Sequence, residues 1–264
     1  MLVTLKGLVL RDTVAAENAK YITLLTAERG RISVLVRGST KLRSRFTSAT
    51  QIFCYSEFTL YEHNGKYTLN EVSLIENYFY ICEDFDKMTL GTYVLNTVEY
   101  IAAEEQPEPE LLRLALNTLW ALTHKKDYEI RLIKGAYEMR LAAIEGFAPN
   151  LVCCQCCGHA VGEDDLFLNV MEGYILCRPC QNGHQKEIFI ENERPVDRMN
   201  TAQIILPLAP ASVLAMQHAI YAEMGRLFSF SLAPELVPEF AGACEKYLEN
   251  HVDHHFAVLD MMTN

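Results

Sequence analysis

Apolar and polar positions alternate with a period of two up to about residue 80. From about residue 84 the apolar positions recur at helical spacing. In the first part the pattern predicts five strands, over residues 3–10, 20–26, 31–38, 51–61 and 66–75. In the third of these, Ile32, Val34 and Val36 share one face. His63, Asn64 and Gly65 read as the hairpin turn joining the last two, because Asn and Gly tolerate the positive φ of tight turns. Five short strands at this spacing suit a small closed barrel. The five-stranded OB-fold is the leading candidate, and periodicity leaves an SH3-like barrel open.

In the second part Phe85, Met88, Val94, Leu95, Val98, Ile101 and Ala102 predict a helix, and Pro107 and Pro109 interrupt the chain after it. Another helix is expected over 111–122, around the only tryptophan, Trp120. A third runs from an N-cap at Asp127 to Glu145, stops at Gly146 with Pro149 beyond, and carries Ile130, Ile133, Tyr137, Leu141 and Ile144 on one face. Short connections imply that these three form an antiparallel bundle. Residues 165–170 and 173–176 read as a β-hairpin. Residues 187–210 are poorly periodic and are expected to wrap the bundle. Further helices are expected over 210–228 and 234–262. The architecture is therefore α+β: a barrel over 1–80, then a helical domain over 81–150 and 184–264 that carries an insertion at 151–183.

The cysteines decide what that insertion is. Six of nine fall between Cys153 and Cys180. Cys154, Cys157, Cys177 and Cys180 form two Cys-x2-Cys pairs separated by 19 residues, the spacing of a four-thiolate zinc ribbon. Four protein ligands leave no open position, so the expected cofactor is one structural Zn²⁺. Cys153 and Cys156 have the same spacing, so the register is open. Gly158 favours Cys154 and Cys157, since a zinc turn needs a residue tolerant of positive φ after its second ligand. His159 and His184 flank the site and read as turn histidines. Cys54, Cys82 and Cys244 each read as a small buried apolar residue. The odd count and the absence of a secretory leader favour metal ligation over disulfides. With no run of 18 apolar residues, a cytoplasmic chain with no membrane partner is expected.

The net charge of −11 hides an asymmetry: residues 1–50 hold nine Lys or Arg against three acids, +6, leaving −17 elsewhere. Arg37, Lys41, Arg43 and Arg45 crowd into ten positions together with Gly38, Ser39, Thr40 and Ser44. Cations and neutral donors in one loop are what phosphate contact requires. The plainer reading is a solvated loop. Nearby aromatic residues, Tyr21, Phe46, Phe53, Tyr55, Phe58, Tyr61 and Tyr67, stand at strand spacing and mostly read as core, so none is named as a base platform. On the last helix His251 and His255 are one turn apart, and with His254 they read as an exposed face and not a metal site. No nucleotide-binding loop, zinc-hydrolase motif or nucleophile elbow is present. A non-catalytic protein follows.

With the three parts in this order, the chain resembles the bacterial DNA repair protein RecO family of recombination mediators. The resemblance rests on Thr4 to Arg11, Ile22 to Ile32, Arg37-Gly38 and Arg43-Ser44 in the barrel. In the middle it rests on Tyr137 to Leu141 and on Glu145 to Leu151 running into Cys154-x-x-Cys157-Gly158. It implies an OB-fold, a helical domain and an inserted zinc finger. It implies binding of single- and double-stranded DNA, annealing of complementary strands, and loading of the RecA recombinase onto SSB-coated strands. RecR and the acidic tail of SSB are the implied partners, and the nucleoid the implied location. Lys6, Arg11, Arg37, Lys41, Arg43 and Arg45 fall on the family's basic barrel face and are the expected DNA contacts. The helical part is acidic, with Arg131, Lys134 and Arg140 as local counter-charges, and no residue is assigned to the SSB tail. The alternative is a zinc-stapled interaction adaptor whose barrel binds a protein.

Overall fold

The computed structural model describes residues 1–16, 18–38, 46–125, 128–162, 164–183 and 203–262. Five strands, β1 (Leu2–Ala16), β2 (Ala19–Thr26), β3 (Gly30–Arg37), β4 (Cys54–His63) and β5 (Lys66–Asn77), close a barrel in the order β1-β2-β3-β5-β4. All neighbours are antiparallel except β3 and β5, which meet in parallel with Val34 opposite Tyr67 and Leu35 opposite Thr68. Each strand turns alternate residues inward, so Val9, Ile22, Leu24, Ile32, Val34, Val36, Phe58, Leu60 and Leu69 fill the interior. This is the five-stranded, OB-like barrel that the alternation predicts.

β1 and β5 run longer than expected because irregularities absorb changes of parity. Between Val9 and Arg11 the pairing of β1 with β2 skips a residue. Val9 faces the core, so strict alternation would have turned Arg11 inward too. The bulge at Leu10 turns it out to solvent. A second shift, where β4 pairs with β5 at Thr59 and Leu60, does the same beyond Leu69.

Two compact units emerge, Met1–Asp127 with Phe256–Asn264, and Tyr128–His255. The helices that the sequence reads as one bundle are shared between them. In the first unit α1 (Phe85–Ile101) begins at Asp84, whose side chain accepts from the Lys87 amide at 3.0 Å, and α2 (Pro109–His124) begins with proline. The segment between them clasps the β2–β3 turn: Arg31 N donates to Ala103 O at 3.0 Å, and Glu108 N donates to Ala27 O at 2.9 Å. Gly30 allows the approach, with φ of +53° and a Cβ position that would lie 2.3 Å from Gln106 O.

The second unit holds α3 (Ile130–Ile144), a sheet of β6 (Leu166–Asn169), β7 (Tyr174–Cys177) and β8 (Ile205–Leu208) in the order β7-β6-β8, α4 (Arg178–Gly183), α5 (Pro210–Tyr221) and α6 (Val237–Val252). The expected N-cap Asp127 lies outside the described residues, and α3 starts after Glu129. Its stop at Gly146, φ +81°, is as expected. β8 comes from the poorly periodic stretch. Its Leu-Pro-Leu centre gives no alternation to read, yet Leu208 pairs with Leu166 at the sheet edge, where proline is tolerated. The expected helix over 210–228 ends at Tyr221 and gives way to a 3-10 turn, Met224–Arg226. The expected final helix is also broken. Asp253 sits at φ +51°, ending α6, and a 3-10 turn follows over Ala257–Met261. His251 and His255 therefore do not share a helix face. His251 stacks on Phe147 at 5.4 Å, and His255 pairs with Glu249 at 2.7 Å.

Three of this unit's cations, Lys134, Arg140 and Arg131, are engaged internally. Lys134 is buried between Glu138, at 2.9 Å, and Glu245, at 2.6 Å. Burial pulls its ammonium pKa down, but the two carboxylates outweigh that and hold it above its ordinary value. Arg140 donates to the carbonyls of Ala219 and Ala222, and Arg131 pairs with Glu129. Among the described residues, no helix is long and apolar enough to cross a membrane.

Candidate nucleic-acid interface and metal centre

The two cysteine turns meet on the β6–β7 hairpin. Gly158 N donates to Cys154 O at 2.9 Å, closing the first turn, and Gly158 has φ of +71°. Gln155 N donates to Ile175 O at 2.9 Å, which ties that turn to β7. Cys177 ends β7 and Cys180 lies one turn into α4. The thiols of Cys154, Cys157, Cys177 and Cys180 all lie within 4.8 Å of one another. Cys157 and Cys177 stand with Sγ atoms 3.7 Å apart. A tetrahedron of metal–sulfur bonds of about 2.3 Å needs sulfurs roughly 3.8 Å apart, so these residues fit a metal ion. Burial pushes the Cys154 thiol up, but amides of Cys157, Cys177 and Cys156 outweigh it and bring the pKa down to about 6. Burial, with the neighbouring sulfurs of Cys154 and Cys157, pushes Cys177 up against the lowering effect of Cys180, as four sulfurs cannot all ionise without a cation between them.

Cys153 and Cys156 stay outside this set, half-buried and exposed. His159 is exposed, and His184 lies outside the described residues. Cys54 and Cys244 are buried as expected, but Cys82 is exposed, because it falls in a 3-10 turn, Phe79–Glu83, that buries only Ile81.

Of the cations expected to touch DNA, Lys6, Arg11 and Arg37 lie among the described residues. Lys6 is exposed on β1, opposite Glu57 of β4. Arg11 pairs with Glu99 of α1 at 3.1 Å. Arg31, close by, reaches Glu104 at 2.9 Å, and Arg29 reaches Glu105 at 3.4 Å. Acidic residues that the sequence counts with the helices thus neutralise part of the barrel's +6. Arg37 ends β3 and is exposed, with no ion pair among the described residues. Lys41, Arg43 and Arg45 lie outside the described residues.

Arg37 borders a groove of about 640 Å³ on the outer wall of the barrel, across the β3–β5 seam. Strand register places a row of outward side chains there. Tyr21 of β2 stands opposite Leu35 of β3, Leu35 opposite Thr68 of β5, and Thr68 opposite Tyr61 of β4. Tyr21 is 47% and Tyr61 51% exposed, and the Tyr61 ring stacks on His63 at 6.4 Å. Because β3 and β5 run parallel, Arg37 and Lys66 flank the row on opposite sides. Among the described residues, no carboxylate lines the groove. Of the other aromatic residues near the basic loop, Phe53, Phe58 and Tyr67 are buried. Sequence alone does not single out Lys66, Tyr21 or Tyr61. The signal was there in part: Tyr21 and Tyr61 have the opposite parity to the core positions Ile22 and Leu60.

Comparison with known proteins agrees with this architecture. Residues 1–78 match the family model described as Recombination protein O N terminal, and residues 82–260 match Recombination protein O C terminal. The DNA repair protein RecO of Acetivibrio thermocellus is 25% identical over 97% of this chain and 94% of its own length. That of Bacillus pumilus is 28% identical over 95% and 90%. That of Listeria welshimeri is 31% identical over 66% and 67%. With both halves matched in order and the cysteine cluster in place within the second, the chain belongs to the RecO family of DNA repair and recombination proteins.

Proposed function

We propose that this protein is a non-catalytic recombination mediator whose barrel binds DNA. The observation that carries this reading is a groove flanked by Arg37 and Lys66 and, among the described residues, lined by no carboxylate, in a chain of net charge −11. Phosphates are drawn to a local cationic surface whatever the overall charge. In this reading the barrel over 1–80 is the DNA-binding module, with Lys6 and the segment carrying Lys41, Arg43 and Arg45 extending the contact. Arg11 serves it weakly, being paired. Annealing of complementary strands, action with RecR and the SSB tail, and loading of RecA belong to the same reading, as does a location at the nucleoid in the cytoplasm.

The metal in this reading is one zinc ion, held by Cys154, Cys157, Cys177 and Cys180. Bound there it supplies folding free energy and no chemistry, because the four thiolates fill its coordination sphere. It staples the β6–β7 hairpin, and the finger spans 151–183.

Binding of a fluorescent oligonucleotide as a function of salt tests the reading. Each phosphate neutralised contributes about −0.7 to the log–log slope on single strands, so four cations give a slope near about −3. Reversing Arg37 and Lys66 together should flatten it by about 1.4. A flat salt dependence in the wild-type protein would overturn DNA binding and leave the zinc-stapled adaptor.

A further inference from the structure

We infer that the groove row is a base-stacking subsite for single-stranded DNA, with Tyr21 and Tyr61 as the stacking residues. The inference rests on the DNA-binding reading and adds to it a preference for unpaired bases. Three observations carry it. First, the rings lie at the two ends of one cross-strand row, with Leu35 and Thr68 between them. Three strand spacings separate the ends, about 14 Å, room for a short run of nucleotides. Second, roughly half of each ring is open to solvent although both face a concave surface. A tyrosine that served the barrel core would point the other way, as Tyr67 does. Third, Arg37 and Lys66 stand on either side of the row and no acid among the described residues intervenes. A strand crossing the groove sets phosphates against these cations while its bases lie on the rings. A duplex, whose bases are stacked on one another, presents no free face to these rings and gains nothing from them.

His63 adds to the Tyr61 end. Its ring lies nearly parallel to that of Tyr61, 15° between planes, and extends the flat surface toward the hairpin tip. The hydroxyls are not required in this scheme. The ring faces do the binding, and that separates stacking from hydrogen-bond readout.

The test compares an oligo-dT strand with a strand of equal length in which central positions are abasic, so that phosphates are kept and bases removed. The wild-type protein should bind the intact strand about tenfold more tightly, the scale of one or two base–aromatic stacks. Tyr21→Ala and Tyr61→Ala together should abolish that preference and leave the salt slope unchanged. Tyr21→Phe with Tyr61→Phe should retain it. Duplex affinity should change by less than twofold in all variants. Thermal melting of each variant checks that the barrel is folded. Equal wild-type binding to intact and abasic strands, or full retention of the preference in the double alanine variant, overturns stacking while the charge reading stands. Loss of binding to every DNA in the wild type overturns the charge reading itself. An acidic polypeptide that competes as well as oligo-dT at equal charge would show that the groove reads charge alone, which also overturns the inference.

Discussion

Arg11 and Glu99 form an ion pair, the guanidinium Nε standing 3.1 Å from the carboxylate. A cation on the barrel is thereby matched by an acid on the helix that follows, and its field is not free for phosphate. Arg11→Ala should accordingly change oligonucleotide affinity by less than about twofold. Arg37→Ala should lower it about fivefold at 0.1 M salt, as expected from a slope of about −0.7 per lost phosphate contact. Glu99→Gln should raise affinity, most at low salt, by releasing Arg11. Equal losses for Arg11→Ala and Arg37→Ala in a salt titration would show that the pairing does not matter to binding.

The four clustered thiols predict a linked loss of metal and stability. Cys154→Ser or Cys177→Ser should lower zinc content well below one per chain and reduce the melting temperature in step. Cys153→Ser and Cys156→Ser should leave both near wild type. Metal analysis alongside calorimetry decides it, and unchanged zinc in Cys177→Ser would mean that the ligand set is different.

Gly173, at the tip of the β6–β7 hairpin, has φ of +68°, and a Cβ there would lie 2.6 Å from the Tyr247 hydroxyl. That hydroxyl donates to Phe147 O at 2.7 Å. Gly173→Ala adds backbone strain and forces the ring to move, so it should cost about 2 kcal/mol in a urea titration. Tyr247→Phe removes only the hydrogen bond and should cost about 1 kcal/mol. In the Tyr247→Phe background the alanine should cost less, since the clashing atom is gone.

Stability should fall in alkali over a defined window. Burial and then the Glu105 carboxylate push the Tyr67 phenol up to about 12, and burial alone brings Tyr128 to about 12. In the unfolded chain both ionise near about pH 10. Between these values the unfolded chain releases protons that the folded chain keeps. The contribution is therefore complete below about pH 10 and lost as pH rises toward 12. Urea midpoints from pH 9 to 12 should be flat and then fall. Tyr128→Phe should fall less steeply than wild type across that window.

The strand parity of residues 20–36 and the turn at Asn64-Gly65 were legible because each depends on neighbours a few positions away. The same holds for the Cys-x2-Cys turns, where local geometry and Gly158 point to one register. The end of α6 was not legible. Asp253 looks like any acid on a helix until the chain beyond it is seen to turn back, and the apolar spacing from Phe256 onward imitates a continuing helix. β8 was hidden for a related reason. A strand centred on proline has no alternation of its own, and only pairing with β6 makes it one.

By itself the sequence determined the α+β order of parts, the barrel interior and the residues that bring four sulfurs together, since periodicity and spacing are local properties. It also carried the charge asymmetry, but not which charges remain free. The tertiary structure alone decided that. Arg11 was turned outward by a bulge and met Glu99, while Arg37 and Lys66, 29 residues apart, came to flank one row. Tyr21 and Tyr61 became the ends of that row through three strand registers. Electrostatic screening and stacking both act through space over a few ångströms, and sequence distance does not encode which groups will share it.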